Sequence, residues 1–96
     1  MKILWTELAN FQLKEIHKFI SRDSTYYVNI FAVNVKKSVL RLNQFPYSGR
    51  IVPEIENENI REIFYMSYRI MYEIRENFVY IMQIIHGAID FKSEED

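Results

Sequence analysis

The feature that most constrains this chain is a change of hydrophobic period about halfway along its 96 residues. In the first half, apolar residues recur at three- and four-residue steps, which predicts amphipathic helices over residues 7–21 and 25–43. The last third is rich in Ile, Tyr, Phe and Val, and it predicts strands over residues 61–65, 68–75 and 77–86. Helices followed by strands, rather than alternating with them, indicate an α+β fold.

Shorter signals complete the order of elements. Residues 2–5 predict a first strand, and Thr6 suits the start of the first helix because its side-chain oxygen can accept a backbone N–H. A break at residues 21–24 separates the helices, so we expect an antiparallel two-helix hairpin packed on one face of the sheet. Residues 44–59 contain both prolines and one of the two glycines of the chain, which predicts an ordered loop.

The expected architecture is therefore an N-terminal strand, the helix hairpin and a three-stranded antiparallel meander. We expect one domain over residues 1–91, because a chain of this length has no room for a second core. Residues 92–96, which hold three acids and one lysine, are expected to form a frayed tail.

Alternation along the strands predicts a second surface. In the last strand, residues on both faces are apolar: Phe78, Tyr80, Met82 and Ile84 on one, and Val79, Ile81 and Ile85 on the other. The preceding strand places Arg69, Met71, Glu73 and Arg75 on a common face. Because the hairpin covers only one side, the other side is expected to be a mixed apolar and charged surface that a partner chain covers.

Charge and composition narrow the class of protein. The formal net charge is −1 and the chain has no cysteine, so disulfides and thiolate metal sites are excluded. A protein that grips nucleic acid through its phosphates usually has a clear basic excess, which this chain lacks. No secretory signal and no stretch long enough to span a membrane is present, so we expect a soluble, cytoplasmic protein without a membrane partner and without a metal or other cofactor.

Four short blocks, in this order and spacing, resemble the RelE/ParE superfamily of toxins from type II toxin–antitoxin systems. The resemblance covers nearly the whole chain, from about residue 3 to residue 91. The blocks are Phe45-Pro-x-x-Gly49-Arg50-x-Val52-Pro53-Glu54, Ile60-Arg61-Glu62, Tyr68-Arg69-Ile70-x-Tyr72, and Ile84-Ile85-His86-Gly87-Ala88-Ile89-Asp90.

The resemblance implies a small sheet flanked by a helix hairpin, in a growth-arresting toxin that a cognate antitoxin neutralises in a hetero-oligomer. One branch, ParE, poisons DNA gyrase; the other, RelE, cleaves mRNA on the ribosome without a metal. The near-neutral charge and the ending after His86 favour the ParE side, with plasmid stabilisation as a typical role. A ribosome-dependent endoribonuclease, and an inactive relative that acts only in operon regulation through the antitoxin, remain alternatives.

If the nuclease alternative holds, the resemblance implies four catalytic residues. Glu54 would take the proton of the 2′-OH, Arg61 and Arg69 would clamp the phosphate, and His86 would protonate the leaving oxygen. Three of the four also have a structural interpretation: Glu54 as a solvated loop acid, Arg61 as a cross-strand partner of Glu73, and His86 as a donor to a nearby carbonyl.

A second set of residues is predicted to bind the target or the antitoxin. It follows the expected open face of the sheet and the adjoining turn. The members are Arg50, Tyr68, Arg69, Met71 and Arg75.

Overall fold

The computed structural model describes residues 1–87, which form one sheet with two α-helices on it. In chain order the elements are β1 (Lys2–Trp5), α1 (Glu7–Ser21), α2 (Thr25–Leu40), a 3₁₀ turn (Arg41–Asn43), β2 (Arg50–Ile51), β3 (Ile60–Tyr65), β4 (Tyr68–Arg75) and β5 (Phe78–His86). The sheet order is β1-β5-β4-β3-β2, with β1 parallel to β5 and all other neighbours antiparallel. The α+β class and the order strand, hairpin, meander are confirmed.

Both helices begin where side chains cap them. The Thr6 hydroxyl accepts the N–H of Ala9 at 3.2 Å, and the Ser24 hydroxyl accepts the N–H of Tyr27 at 3.2 Å. The bounds of α1 match the prediction, whereas the second helix ends as an α-helix at Leu40 and tightens into the 3₁₀ turn. Tight last turns of this kind satisfy carbonyls at a helix C-terminus.

The main core lies between the hairpin and one face of the sheet. The helices supply Ala9, Phe31, Val35 and Val39, while β4 and β5 supply Ile70, Tyr72, Ile74, Val79, Ile81 and Ile84. Full burial of one such side chain is worth about 1.5–3 kcal/mol, so this layer dominates the stability of the domain. Packing of both helices on one face confirms the predicted hairpin, although Leu8 and Phe19, at the margins of the α1 stripe, are exposed.

A bulge in β5 overturns the simple alternation predicted for that strand. Pairing with β4 shifts between Met71↔Gln83 and Tyr72↔Ile81, which leaves Met82 as an extra residue. An inserted residue reverses the facing of everything beyond it. Ile84 therefore joins the core under the helices, and the prediction that it shares a face with Phe78 is wrong.

The start of α1 holds this bulge in place. The Thr6 hydroxyl lies 2.9 Å from the carbonyl oxygen of Ile81 and 3.2 Å from that of Met82. The side-chain oxygen of Gln12 accepts the N–H of Ile84 at 2.9 Å. Groups that the irregular ladder would leave unpaired are thus satisfied by α1 and its cap.

Residues 44–59 contain more structure than the predicted loop. Arg50 and Ile51 form β2 against Glu62 and Arg61, which adds a fifth strand that the sequence did not indicate. The following residues fold back over the sheet face away from the helices. There Val52 packs with Met71 and Ile85 in a second, smaller core. The prediction that this whole face is left for a partner is therefore wrong in part, because the chain covers some of it with its own loop.

The predicted end of the domain at residue 91 and the predicted frayed tail at 92–96 lie outside the described residues. Among residues 1–87, neither helix is long and apolar enough to cross a membrane.

Candidate functional site: an arginine–glutamate network on the sheet

Four charged side chains meet on the sheet face opposite the helices. Arg69 comes from β4, Glu62 from β3 and Arg50 from β2, and Glu54 comes from the loop that follows β2. Strand pairing puts Arg50 opposite Glu62, and it puts Arg69 two residues along β4 from Met71, the partner of Glu62. Neighbouring strands therefore bring the first three side chains together, and the loop delivers the fourth.

The four groups form a continuous chain of hydrogen-bonded ion pairs. Arg50 Nε lies 2.6 Å from Glu62 Oε2, and Arg69 Nε lies 2.7 Å from Glu62 Oε1. Arg69 Nη1 and Nη2 then donate to Glu54 Oε2 and Oε1 at 2.8 and 3.0 Å. The Arg69–Glu54 pair is bidentate, the geometry in which a planar guanidinium matches a carboxylate best.

The two central side chains of the network are buried, so the network belongs to the folded core of this sheet face. The Glu62 side chain is 0% exposed, and that of Arg69 is 6% exposed. Hydrogen bonds to Glu54 raise the pKa of Arg69 above its usual value; burial opposes this effect, and the hydrogen bond to Glu62 adds to it. Two positive and two negative groups balance, so the buried charges are compensated within the cluster, as they must be in a low-dielectric site.

Arg50 is the member that reaches solvent. Its side chain is 58% exposed, and its guanidinium carbon lies 5.1 Å from the centre of the Phe64 ring. Beside it is an open cavity of about 630 Å³ whose lining includes Arg41, Phe45, Ser48 and Ile63. A cation held over an aromatic ring at an open cavity is a surface suited to protein or anion contacts.

A second junction joins the first sequence block to β4. The hydroxyl of Tyr72 donates to the carbonyl of Pro46 at 2.7 Å and accepts the N–H of Gly49 at 3.0 Å. Burial raises the pKa of Tyr72 above its ordinary value, although the bond from Gly49 and the positive charge of Arg61 oppose that shift. A Cβ on Gly49 would lie 2.5 Å from the Tyr72 hydroxyl oxygen and 2.7 Å from the Glu62 carbonyl oxygen, so only glycine fits there.

Arg61 secures the same turn from the other side of β3. It neighbours Glu62 and so points to the opposite face. Its Nη1 donates to the carbonyls of Tyr47 and Gly49 at 3.2 and 2.9 Å, and its Nε donates to the carbonyl of Glu58 at 2.9 Å. The pairing of Arg61 with Glu73 that the sequence suggested is absent among residues 1–87. Glu73 Oε1 instead lies 3.2 Å from Arg75 Nε.

The structure brings together two of the four residues predicted for nuclease chemistry. Glu54 and Arg69 are bonded to each other, whereas Arg61 lies across β3 from them. His86 pairs with Tyr68 across β4 and β5, and the two ring centroids are 5.7 Å apart in an edge-on arrangement. Since Tyr68 packs on the core under the helices, His86 is on the sheet face away from Arg69.

The predicted binding residues divide by exposure. Met71 and Arg69 are buried, and Tyr68 is half-buried with its ring 5.3 Å from that of Phe31. Arg50 is exposed as described above. Arg75 has 61% of its side chain exposed, and its guanidinium carbon lies 4.4 Å from the centre of the Tyr80 ring.

Glu62, the centre of the network, was not among the predicted site residues. Its signal was its place in the Ile60-Arg61-Glu62 block, where alternation puts it on the face opposite Arg61. Arg50 was among the predicted binding residues, but its pairing with Glu62 depends on β2, a two-residue strand too short to leave a pattern in the sequence.

Three of the four sequence blocks meet here, and a helix hairpin covers the other sheet face, so the chain has the α+β fold that its resemblance to the RelE/ParE superfamily implies. The model of the family described as the ParE toxin of the type II toxin–antitoxin system, parDE, matches residues 3–91. The chain therefore belongs to the ParE toxin family of type II toxin–antitoxin systems. Such a system implies an antitoxin partner.

Comparison with solved structures agrees in fold. A structure described as a chromosomal ParDE toxin–antitoxin system from P. aeruginosa matches with a TM-score of 0.74 and 17% sequence identity. The match covers 90% of this chain and 95% of that chain. A search of curated protein sequences finds no significant match.

Proposed function

We propose that this chain arrests growth by binding a protein target, DNA gyrase, in the cytoplasm, and that a cognate antitoxin neutralises it by forming a hetero-oligomer with it. The observation that carries the proposal is the double engagement of Arg69, whose guanidinium is bound by both Glu54 and Glu62. Arg69 therefore stabilises the fold rather than binding a substrate.

Metal-free RNA cleavage requires cations that are free to bind the phosphate, and the arginines of this site are already bound within the protein. The negative charge that develops on the phosphate needs cations directed at it and free to bind its oxygens. Arg69 is buried between two carboxylates, and Arg61 donates to three backbone carbonyls. A phosphate at Arg69 would have to displace Glu54 and meet the negative charge of Glu62.

The exposed part of the same face suits protein recognition instead. Arg50 lies over Phe64, and Arg75 lies over Tyr80. Arginine and aromatic side chains are enriched in the regions of protein interfaces that contribute most to affinity. Because these arginines already rest on rings, little side-chain entropy would be lost when a partner covers them.

Controlled expression of the chain in a bacterial host tests the proposal. We expect filamentation and induction of the DNA-damage response while mRNA stays intact, and relief of growth arrest when the antitoxin is co-expressed. Purified chain is expected to trap cleaved DNA in a gyrase assay. Cutting of mRNA at codon positions in a translation extract would instead establish the nuclease alternative. Normal growth with folded protein present would favour a purely regulatory relative.

A matched set of variants separates the mechanisms further. Arg50→Ala and Arg75→Ala should weaken toxicity, while Lys14→Ala, a charge removed from the exposed side of α1, should not. Equal toxicity of all three variants at equal protein levels would exclude the two exposed arginines from target binding.

A further inference from the structure

The outer edge of β3 has a strand beside it for only part of its length. β2 is the terminal strand of the sheet and pairs with β3 only as far as Glu62, whereas β3 continues to Tyr65. The Val52 N–H donates to the Ile60 carbonyl at 3.3 Å, so Ile60 and every second residue after it direct their backbone groups toward this edge. Phe64 therefore presents its N–H and C=O at the point where β2 has already stopped.

The segment before β2 turns away from the sheet instead of completing the pairing. Extension of the β2 register would put Ser48 opposite Phe64. The Ser48 N–H instead donates to the Phe45 carbonyl at 3.1 Å, inside a turn. Tyr72 and Arg61 bind this turn from the helix side of the sheet. Within residues 1–87, no backbone hydrogen bond joins Phe64 to a neighbour on this edge.

An open cavity of about 630 Å³ lies beside this gap. Its lining includes Ile63 and Phe64 from the unpaired part of β3, and Arg41 from the end of α2. The rings of Phe45 and Phe64, which also line it, are exposed. An extended peptide has room here to reach the Phe64 backbone and to cover two aromatic side chains.

Two arginines give the cavity its charge. Arg50 donates through Nε to Glu62, and within residues 1–87 its two terminal amino groups make no hydrogen bond to the protein. Arg41 makes no ion pair with the carboxylates of residues 1–87. Glu62, the one acid among the lining residues, is already bonded to Arg69 as well. The cavity therefore attracts an anionic group, and a carboxylate matches the planar guanidinium groups.

The open backbone selects a peptide as the source of that group. Phe64 offers one donor and one acceptor, so a partner on this edge must supply both. A peptide backbone does so at strand spacing, whereas the phosphates of a nucleic acid are acceptors only. A second copy of this chain, paired through the same edge, would bring a second set of the same cations, which is unfavourable. An acidic peptide meets both requirements.

From the gap in the sheet edge, the cavity and its two arginines we infer that the target protein binds this chain through an extended acidic segment that pairs with Phe64. The segment continues the line of β2 along β3, and one of its Asp or Glu side chains lies between Arg41 and Arg50. This inference rests on the proposed binding of a protein target, and it deepens that proposal by naming the edge and the chemistry of the segment.

Amide hydrogen exchange, resolved to single residues, tests the backbone pairing on the free chain and on its complex with purified DNA gyrase. In the complex, exchange of the Phe64 amide should slow by roughly tenfold or more, because this N–H becomes hydrogen-bonded. The Ile63 amide, which faces β4, should change little. Unchanged exchange at Phe64 in a formed complex would overturn the inference and leave gyrase as the target.

Charge reversal gives an independent measurement with a matched control. Arg22 and Arg41 are the C-cap residues of α1 and α2, so reversal of either charge removes the same favourable interaction with a helix end. Arg41→Glu should raise the dissociation constant of the gyrase complex by roughly fivefold or more, because it repels an acidic side chain. Arg22→Glu, away from the cavity, should leave the constant within about twofold.

Circular dichroism of both variants checks that they remain folded. Equal affinity of the two folded variants for gyrase would overturn the inference, since the acidic side chain would then have no role.

Other occupants of this edge give different results, and each of them overturns the inference. Protection of the Phe64 amide that grows with concentration in the free chain would identify a second copy. Protection in the free monomer at every concentration would identify residues after position 87 of the chain itself. Protection by the antitoxin, or by a short RNA, but not by gyrase would identify those partners. Failure of gyrase to bind the folded chain would instead contradict the proposed function, and the inference with it.

Discussion

Arg69 and Glu54 are joined by two hydrogen bonds, with Nη1 2.8 Å from Oε2 and Nη2 3.0 Å from Oε1. One residue lies in the middle of the sheet, and the other lies in the loop that closes over Met71 and Ile85. The pair therefore fastens a loop to a strand across the face that the helices leave open. The pair also has an electrostatic consequence, because Glu54 compensates the charge of Arg69 in the free protein, without any partner.

The first prediction concerns Glu62, the buried carboxylate between Arg50 and Arg69. Glu62→Gln removes its charge and leaves Arg69 with one acidic partner, so we expect a loss of about 3 kcal/mol in the free energy of unfolding. Urea denaturation followed by circular dichroism measures it. Glu58→Gln, at an exposed loop position, should change stability by less than about 0.5 kcal/mol. Similar small losses in both variants would show that the network contributes little.

The second prediction concerns Tyr72. Tyr72→Phe keeps the ring but leaves the Pro46 carbonyl and the Gly49 N–H without their partner, at a cost of about 1–3 kcal/mol at neutral pH. Tyr26→Phe, at an exposed position on α2, serves as the control and should be nearly neutral.

The same residue gives a pH dependence. Burial raises the pKa of Tyr72 in the folded state, so the native protein holds this proton more tightly than the unfolded chain does. The stability it contributes is complete below about pH 10 and is lost as the pH rises through the folded-state pKa. The free energy of unfolding, measured from pH 8 to 11, should fall more steeply for the parent chain than for Tyr72→Phe. Parallel curves would contradict the assignment.

The third prediction tests how α1 holds the bulge in β5. Thr6 caps the helix and also donates to the carbonyls of Ile81 and Met82. Thr6→Val removes the hydroxyl at constant shape and should cost about 1–2 kcal/mol. Thr6→Ser retains the hydroxyl and should recover most of that stability. If both variants unfold at the same urea concentration, the hydroxyl does not stabilise this junction.

The fourth prediction separates binding from folding on the open sheet face. Arg75→Ala should lower toxicity at unchanged protein level, because the Arg75 side chain is exposed. Arg50→Ala should lower toxicity as well, and it should also lower stability because it removes a partner of the buried Glu62 carboxylate. Met71→Ala, in the small core beneath the loop, should cost about 2–5 kcal/mol of stability and lower toxicity through the amount of folded protein. Plating efficiency measured together with soluble protein level distinguishes the two causes. Reduced folding of Arg75→Ala would count against a binding role for Arg75.

Local sequence determined the elements whose signals repeat. Apolar residues at helical spacing and the capping residues Thr6 and Ser24 located α1 and the start of α2, because each signal acts within one or two turns. High strand propensity located β3, β4 and β5 to within about a residue, and the blocks around Gly49, Arg61 and Arg69 indicated the family.

Only the tertiary structure decided how distant segments meet. The bulge at Met82 depends on α1 supplying groups to its carbonyls, and β2 exists because Arg50 and Ile51 pair with β3. The placement of Glu62 between two arginines follows from the pairing of β3 with β2 on one side and with β4 on the other. Neither feature has a local period that a sequence could display, since strand pairing joins residues far apart in the chain. The sequence by itself thus determined which segments form helices and strands, and long-range pairing decided which face each charged side chain occupies.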